Sequence, residues 1–115
     1  MPKALRGEIW AVDFHPARGA EIQKVRPAVV LNHADVGRLP LCIVVPITEW
    51  QPGFAEFSWF VPLRPSSANG LAKASGADAF QVKSVAEQRF LRRLGSLPEA
   101  EVELIADAVA FCIGA

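Results

Sequence analysis

The segment from Gly7 to Leu31 constrains the fold of this chain more than any other. From Glu8 to Phe14 the residues alternate. Ile9, Ala11 and Asp13 face one way, and Trp10, Val12 and Phe14 the other. That two-residue period predicts a β-strand. A polar connection follows, broken by Pro16 and Gly19, and is expected to be a mobile surface loop. The chain then re-enters extended structure at Arg26-Pro27-Ala28-Val29-Val30-Leu31. A proline at the start of a strand costs no ladder hydrogen bond, and it holds the preceding residue in an extended backbone. Arg26 is therefore expected at the rim of a sheet, at the foot of a loop carrying Arg18 and Lys24. Such a geometry suits contact with an anion; it is equally an ordinary charged strand end.

The rest of the chain adds short strands and one helix. Leu41-Cys42-Ile43-Val44-Val45 reads as a buried central strand that runs into Pro46-Ile47-Thr48. Pro52-Gly53 marks a turn. Glu56 to Leu63 alternates, with Phe57, Trp59, Val61 and Leu63 on one face, and Ala77 to Val85 is a further strand candidate. A second long polar loop spans 64 to 75. Ala86 to Arg93 is expected to begin with a helical turn and finish as a strand ended by Gly95. Ser96-Leu97-Pro98-Glu99 has the pattern of a helix capping box. Beyond it, Val102, Ile105, Ala106, Val109, Cys112 and Ile113 recur at helical spacing. Leu104, Ala108 and Phe111 form a second, roughly opposite stripe. One apolar face can cover a sheet. The other calls for a second copy of the chain, or for a helix wedged between the sheet and a long loop. The elements together predict a mainly β fold with a C-terminal helix, as one domain over 1–115: a small, strongly bent antiparallel sheet or partly closed barrel.

Composition narrows the class. Hydrophobic residues make up 51% of the chain, enough to bury a core without staples. No apolar run is long enough to span a bilayer, and the N-terminus lacks a signal-peptide pattern, so a cytoplasmic chain without membrane association is expected. Cys42 and Cys112 sit in apolar runs and read as small buried thiols; with the two histidines they show no zinc-ligand spacing. Net charge is zero, yet its distribution is uneven. All 12 bases fall at or before Arg93, against 8 acids there, while Glu99, Glu101, Glu103 and Asp107 follow with no base. A basic body thus precedes an acidic helix, whose acids also suit the positive end of the helix dipole.

Polar groups at predicted strand ends are the candidates for chemistry: Arg26, Thr48, and the group Gln81, Lys83 and Ser84. Arginine is permanently charged and matches phosphate with two parallel donors, and a threonine hydroxyl can donate to a phosphoryl oxygen. No Cys–His or Ser–His pairing, paired-carboxylate site or phosphate-cradling glycine loop is evident. The residues alone reach no further than a small β-rich domain suited to anions.

A resemblance extends the reading. The segment Gly7-Glu8-Ile9-Trp10, Val12-Asp13-Phe14, Pro16, Gly19, Glu21, Lys24, Arg26-Pro27 and Val29-Val30-Leu31 is similar to the opening signature of the MazF/PemK toxins, bacterial toxin–antitoxin endoribonucleases. Val45-Pro46-Ile47-Thr48, Gln81-Val82-Lys83-Ser84-Val85 and Arg92-Arg93-Leu94-Gly95-Ser96-Leu97 continue it in the same order. The resemblance implies an SH3-like small barrel, shared with CcdB-like toxins, and a homodimer. It implies cleavage of single-stranded RNA without a metal or other cofactor, and a cognate antitoxin that lays a disordered segment over the RNA site. Arg26 falls on the family's catalytic arginine and Thr48 on its catalytic threonine. Arg18, Lys24, Gln81, Lys83 and Ser84 are the expected RNA-binding residues, with Trp50 at the groove edge. His15 is the candidate proton carrier.

The chain also departs from the family. Phe80 stands where many members carry an acid, with Asp78 on the same strand face as the only substitute. Lys83 replaces an arginine, keeping the charge but losing the fork. Ala20 stands where some members have histidine. Non-catalytic relatives of the same fold, a gyrase-poisoning toxin or an antitoxin-sequestering decoy, are therefore the competing reading.

Overall fold

In the computed structural model, residues 4–36 and 39–115 are described. Seven strands, β1 (Glu8–Asp13), β2 (Val25–Val30), β3 (Leu41–Glu49), β4 (Phe60–Leu63), β5 (Ser75–Asp78), β6 (Lys83–Ala86) and β7 (Phe90–Ser96), precede one helix, α1 (Glu99–Ile113). The sheet order is β4-β5-β3-β2-β1-β7, with β6 also paired to β3. All pairs are antiparallel. The expected mainly β fold with a C-terminal helix is present. Its sheet, however, is not closed into a barrel by hydrogen bonds, because β4 and β7 remain its edges.

The alternation of β1 divides the interior into two apolar clusters. Ile9 joins Val29, Leu31, Val45, Ile47, Val102 and Ile105. Trp10, Val12 and Phe14 join Ala28, Val30, Val44, Val85 and Phe90. Both faces of the central strands are therefore covered, and this explains why β2 and β3 read as continuous apolar runs.

β5 and β6 follow one another antiparallel along β3. β5 meets Ile47–Glu49 and β6 meets Leu41–Val44, with a register offset of three residues between them. A 3-10 turn at Ala79–Gln81 takes up that offset. The single strand expected over 77–85 is thus interrupted. The Asp78 side chain accepts a hydrogen bond from the Phe80 N–H (3.2 Å) and so favours the turn.

Glu56 to Leu63 is a strand only from Phe60. The earlier aromatic residues pack on each other instead: Phe54 stacks on Phe60 (3.8 Å between ring centroids) and Phe57 on Trp59 (4.8 Å). The turn expected after Ala86 is a 3-10 turn at Glu87–Arg89, and β7 follows.

The capping box does not form. α1 begins at Glu99 with Pro98 as its N-cap and no side-chain cap bond, so Ser96 lies before the N-cap position, at the end of β7. Glu99 instead pairs with Arg6 at 3.5 Å. At the other end Gly114, with φ 73°, closes the helix in the left-handed region. Val102 and Ile105 point inward, while Leu104 and Phe111 are exposed.

Glu8 ties the start of the chain to β7. Its carboxylate accepts from the Leu5 N–H (2.8 Å), the Trp10 indole N–H (3.1 Å) and Arg93 Nε (2.9 Å). Burial alone would raise the Glu8 pKa, but these donors outweigh it and hold the carboxyl below its ordinary value. A depressed carboxyl stabilises the fold above its unfolded pKa, and the contribution is lost as pH falls through the folded one. Glu8→Gln is expected to cost about 1–2 kcal/mol near neutral pH, the scale of hydrogen bonds to a charged group. In chemical denaturation the gap between wild type and variant should close on acidification below the ordinary carboxylate range; a gap independent of pH would show that charge is not the cause.

Candidate active site

The β2–β3 ladder runs from Val30–Val44 to Ala28–Pro46 and stops there. Pro27, the next residue of β2 to face β3, has no N–H to continue it. Extending the same register two residues sets Arg26 opposite Thr48. Where the ladder ends, a cleft of ≈ 260 Å³ opens. Arg26, Pro27, Ile47, Thr48 and Glu49 line it from β2 and β3; Leu71 to Lys73 and Arg92 line it from the 64–74 loop and β7.

The two residues at the centre of this cleft are unsatisfied in complementary ways. Arg26 is exposed, and among the described residues no acceptor or carboxylate engages its guanidinium. The Thr48 hydroxyl oxygen is buried and, among the described residues, has no hydrogen-bond partner. A buried polar group left unpaired costs about 1–3 kcal/mol, and an orphan of this kind at a cleft is the expected mark of a group kept for a ligand. The cleft also carries Lys73, which pairs with Glu49 at 3.6 Å, so its net charge is positive. Among the described residues no group of three or more His, Cys, Asp or Glu is placed to hold a metal ion.

The far wall is held by a contact that leaves no room for a side chain. Gly70, with φ +70°, lies so close to β7 that an added Cβ would collide with the Leu94 carbonyl. Gly95 lies equally close to the backbone of Ala68 and Asn69. Asn69, buried, organises the loop between them. Its side-chain oxygen accepts from the Ser66 and Leu71 N–H groups (3.0 and 2.9 Å), and its amide donates to the Arg64 carbonyl (2.8 Å).

The other candidate residues lie outside this cleft. Gln81 bridges to the 14–24 loop: its side-chain oxygen accepts from the Ile22 N–H (2.8 Å), and its amide donates to the Ala20 carbonyl (2.9 Å). Arg89 fastens the same loop through the carbonyls of Asp13 and His15. The connection expected to be mobile is thus bonded to two other parts of the fold. Arg18, Lys24 and His15 are exposed on it. Lys83, on β6, pairs with Val44 of β3, and Ser84 lines a separate apolar groove with Leu41 and Ile43 at the opposite end of β3. Trp50 covers Gly76 rather than the cleft: a Cβ on Gly76 would lie 3.0 Å from its ring. Asp78 is buried, and its pKa is raised by that burial despite the opposing Phe80 and Gln81 N–H groups. Glu49, Lys73 and Arg92 were not among the sequence candidates. Only Arg92, inside a segment shared with the MazF/PemK toxins, carried any signal.

The comparisons decide the family. The model of the PemK-like, MazF-like toxins of type II toxin–antitoxin systems matches residues 5–113. The chain belongs to this family. It is 37% identical over 110 residues to the endoribonuclease MazF9 of Mycobacterium tuberculosis, covering 90% of this chain and 91% of that protein. Its fold matches a MazF crystal structure from Deinococcus radiodurans with a TM-score of 0.78 at 22% identity, over 100% of this chain and 99% of that one. It also matches a mycobacterial endoribonuclease solved with its cognate antitoxin, with a TM-score of 0.75 at 17% identity, over 97% and 96% of the two chains. The shared open sheet with a C-terminal helix is thus the MazF-like toxin fold.

The glycine contact supplies a test of how the cleft is held. Gly95→Ala must push the 64–74 loop off β7, because the colliding atoms are backbone and cannot rotate away. A loss of about 1–3 kcal/mol is expected, the usual cost of overpacking. Hydrogen exchange should rise at Leu71 and neighbouring amides. Unchanged stability and protection would mean that the contact does not fix the wall.

Proposed function

We propose that this chain is the toxin of a toxin–antitoxin pair and an endoribonuclease that cleaves single-stranded RNA at the Arg26–Thr48 cleft. The observation that carries the proposal is the meeting of an unpaired arginine and an unsatisfied threonine hydroxyl at the end of the β2–β3 ladder. In the proposed reaction a ribose 2′-OH attacks the adjacent phosphate and the 5′-oxygen leaves, giving a 2′,3′-cyclic phosphate and a 5′-OH. Charge builds on the non-bridging oxygens of the phosphorane. Arg26 is the group suited to stabilise it, with Thr48 donating to one of those oxygens. The always-protonated guanidinium is a poor general base. Arg18, Lys24, Gln81, Lys83 and Ser84 remain proposed RNA contacts outside the cleft, and His15 a proposed proton carrier.

The proposed setting is a single toxin domain in the cytoplasm, held by a cognate antitoxin. The mycobacterial relative solved with its antitoxin supports that partner. Among the described residues no helix is long and apolar enough to cross a membrane. The active form is proposed to be a homodimer. Leu104, Ala108 and Phe111 of α1 form a trough of ≈ 420 Å³ with Phe60, Val61 and Pro62 of β4. Phe111 is 61% exposed, and an apolar face on this scale suits a second copy.

The purified chain should cleave a single-stranded RNA in the presence of EDTA, and mass spectrometry should find 2′,3′-cyclic phosphate ends. Arg26→Ala is expected to lower the rate by about 10²-fold or more, corresponding to roughly 3 kcal/mol of transition-state stabilisation. Thr48→Ser should retain more activity than Thr48→Ala. Binding without cleavage by the wild type would instead favour a non-catalytic relative, the reading that Phe80 in place of an acid leaves open.

The dimer has its own test. Light scattering should find the wild type dimeric at micromolar concentration, and Phe111→Glu monomeric or aggregated, because an unpaired charge would be buried in the contact. A monomeric wild type removes the dimer from the proposal.

A further inference from the structure

We infer that Arg92 is a substrate-binding residue of this cleft, holding a phosphate next to the one at Arg26. The inference rests on the endoribonuclease reading and adds a subsite to it. Consecutive arginines on β7 have different fates. Arg93 is committed to Glu8 at 2.9 Å. Arg92 is exposed and, among the described residues, has no ion pair or hydrogen bond; it lines the same cleft as Arg26 and Thr48.

Register places Arg92 relative to β2. Ala11 pairs with Pro27 on one side and with Arg92 on the other. Arg92 therefore shares a face with Pro27 and stands two strands from it, about 10 Å away at the usual strand spacing. Arg26 pairs with Val12 and leaves the end of β2 on the alternate face, yet both arginines line the cleft. Two flexible guanidinium arms that reach one cleft from different sides can hold neighbouring phosphates of one strand, each with paired donors.

The charge of the cleft agrees with this occupant. Among the described residues, Glu49 is the only acid that lines the cleft, and it is already paired with Lys73. Among those residues the positive charges of Arg26 and Arg92 have no counter-ion. The wall beside Arg92 is set in advance, because Gly70 and Gly95 press the 64–74 loop onto β7 without room for a Cβ. Arg92 thus needs no loop closure to reach the strand. A flanking phosphate contact of this kind contributes to binding in the ground state and the transition state alike, so it should appear in KM rather than in kcat.

The test uses the full chain, an RNA that the wild type cleaves, and the fluorescent 2′-O-methyl form of the same RNA, which cannot be cleaved. Arg92→Ala is expected to raise KM on the order of tenfold with kcat within about twofold. The slope of log affinity for the 2′-O-methyl RNA against log salt should fall by about 0.7, the value for one phosphate contact on a single strand. Arg92→Lys should restore the slope but only part of the affinity, since the charge returns without the fork. Arg93→Ala is the neighbouring control: it should lower the melting temperature through loss of the Glu8 pair and leave the salt slope unchanged. Wild-type KM and slope in Arg92→Ala, with wild-type cleavage intact, would overturn this inference and leave the ribonuclease reading standing. If the wild type neither cleaves nor binds RNA, both fall.

Discussion

β3 carries more of this structure than any other strand. Its nine residues pair with β2, β5 and β6, and both of its faces are covered by apolar clusters. A strand so enclosed cannot slip by one residue without turning its apolar side chains over. The position of Thr48 near its end is therefore set by the whole sheet, not by local loop geometry. The site exists because this well-determined ladder stops early. Pro27 withholds the next hydrogen bond between β2 and β3, the ladder ends, and Arg26 and Thr48 lie beyond its last pair. A rigid scaffold supplies the placement and a local failure of pairing supplies the access.

The features legible in the sequence were those set by short-range rules. The period of β1, the apolar runs of β2 and β3, the helix and its outward stripe all follow from spacing. Arg26 was placed at a strand rim by the proline after it. Thr48 drew its expected role only from resemblance to the MazF/PemK toxins; in the structure it lines the same cleft as Arg26, just beyond the last pair of the β2–β3 ladder. Where local rules competed, sequence reading failed. The alternation from Ala77 to Val85 hid a 3-10 turn, because Asp78 captures a backbone N–H that a continuous strand would have used. The Ser96–Glu99 pattern looked like a cap, but pairing with β1 keeps Ser96 in β7, and the helix starts late.

The remaining parts of the cleft were illegible for another reason. Lys73 and Arg92 are separated in sequence from Arg26 and Thr48: β7 brings Arg92 by pairing with β1, and Lys73 arrives because the 64–74 loop lies on β7. No spacing rule predicts that contact. Gln81 makes a related point. Its expected contribution was direct contact with RNA, yet both polar ends of its side chain are engaged by the 14–24 loop. In the free protein its amide positions the loop that carries Arg18 and Lys24.

The glycine contact between the 64–74 loop and β7 also divides the cleft wall into parts that can and cannot vary. Residues 70 and 95 are locked by backbone packing, and Asn69 by the three hydrogen bonds that shape the loop. Leu71 is also fixed, because its side chain is buried in the core cluster with Ile9 and Ile47; Ala72 and Lys73 are exposed, and Lys73 is held only by its surface pair with Glu49. Changes at Ala72 and Lys73 can therefore alter the shape and charge of this wall without disturbing Arg26 and Thr48 across the cleft. The wall is thus divided into a mount that must stay as it is and a short exposed stretch that is free to vary; on the proposed reading, substrate preference can change there while the two central residues keep their places.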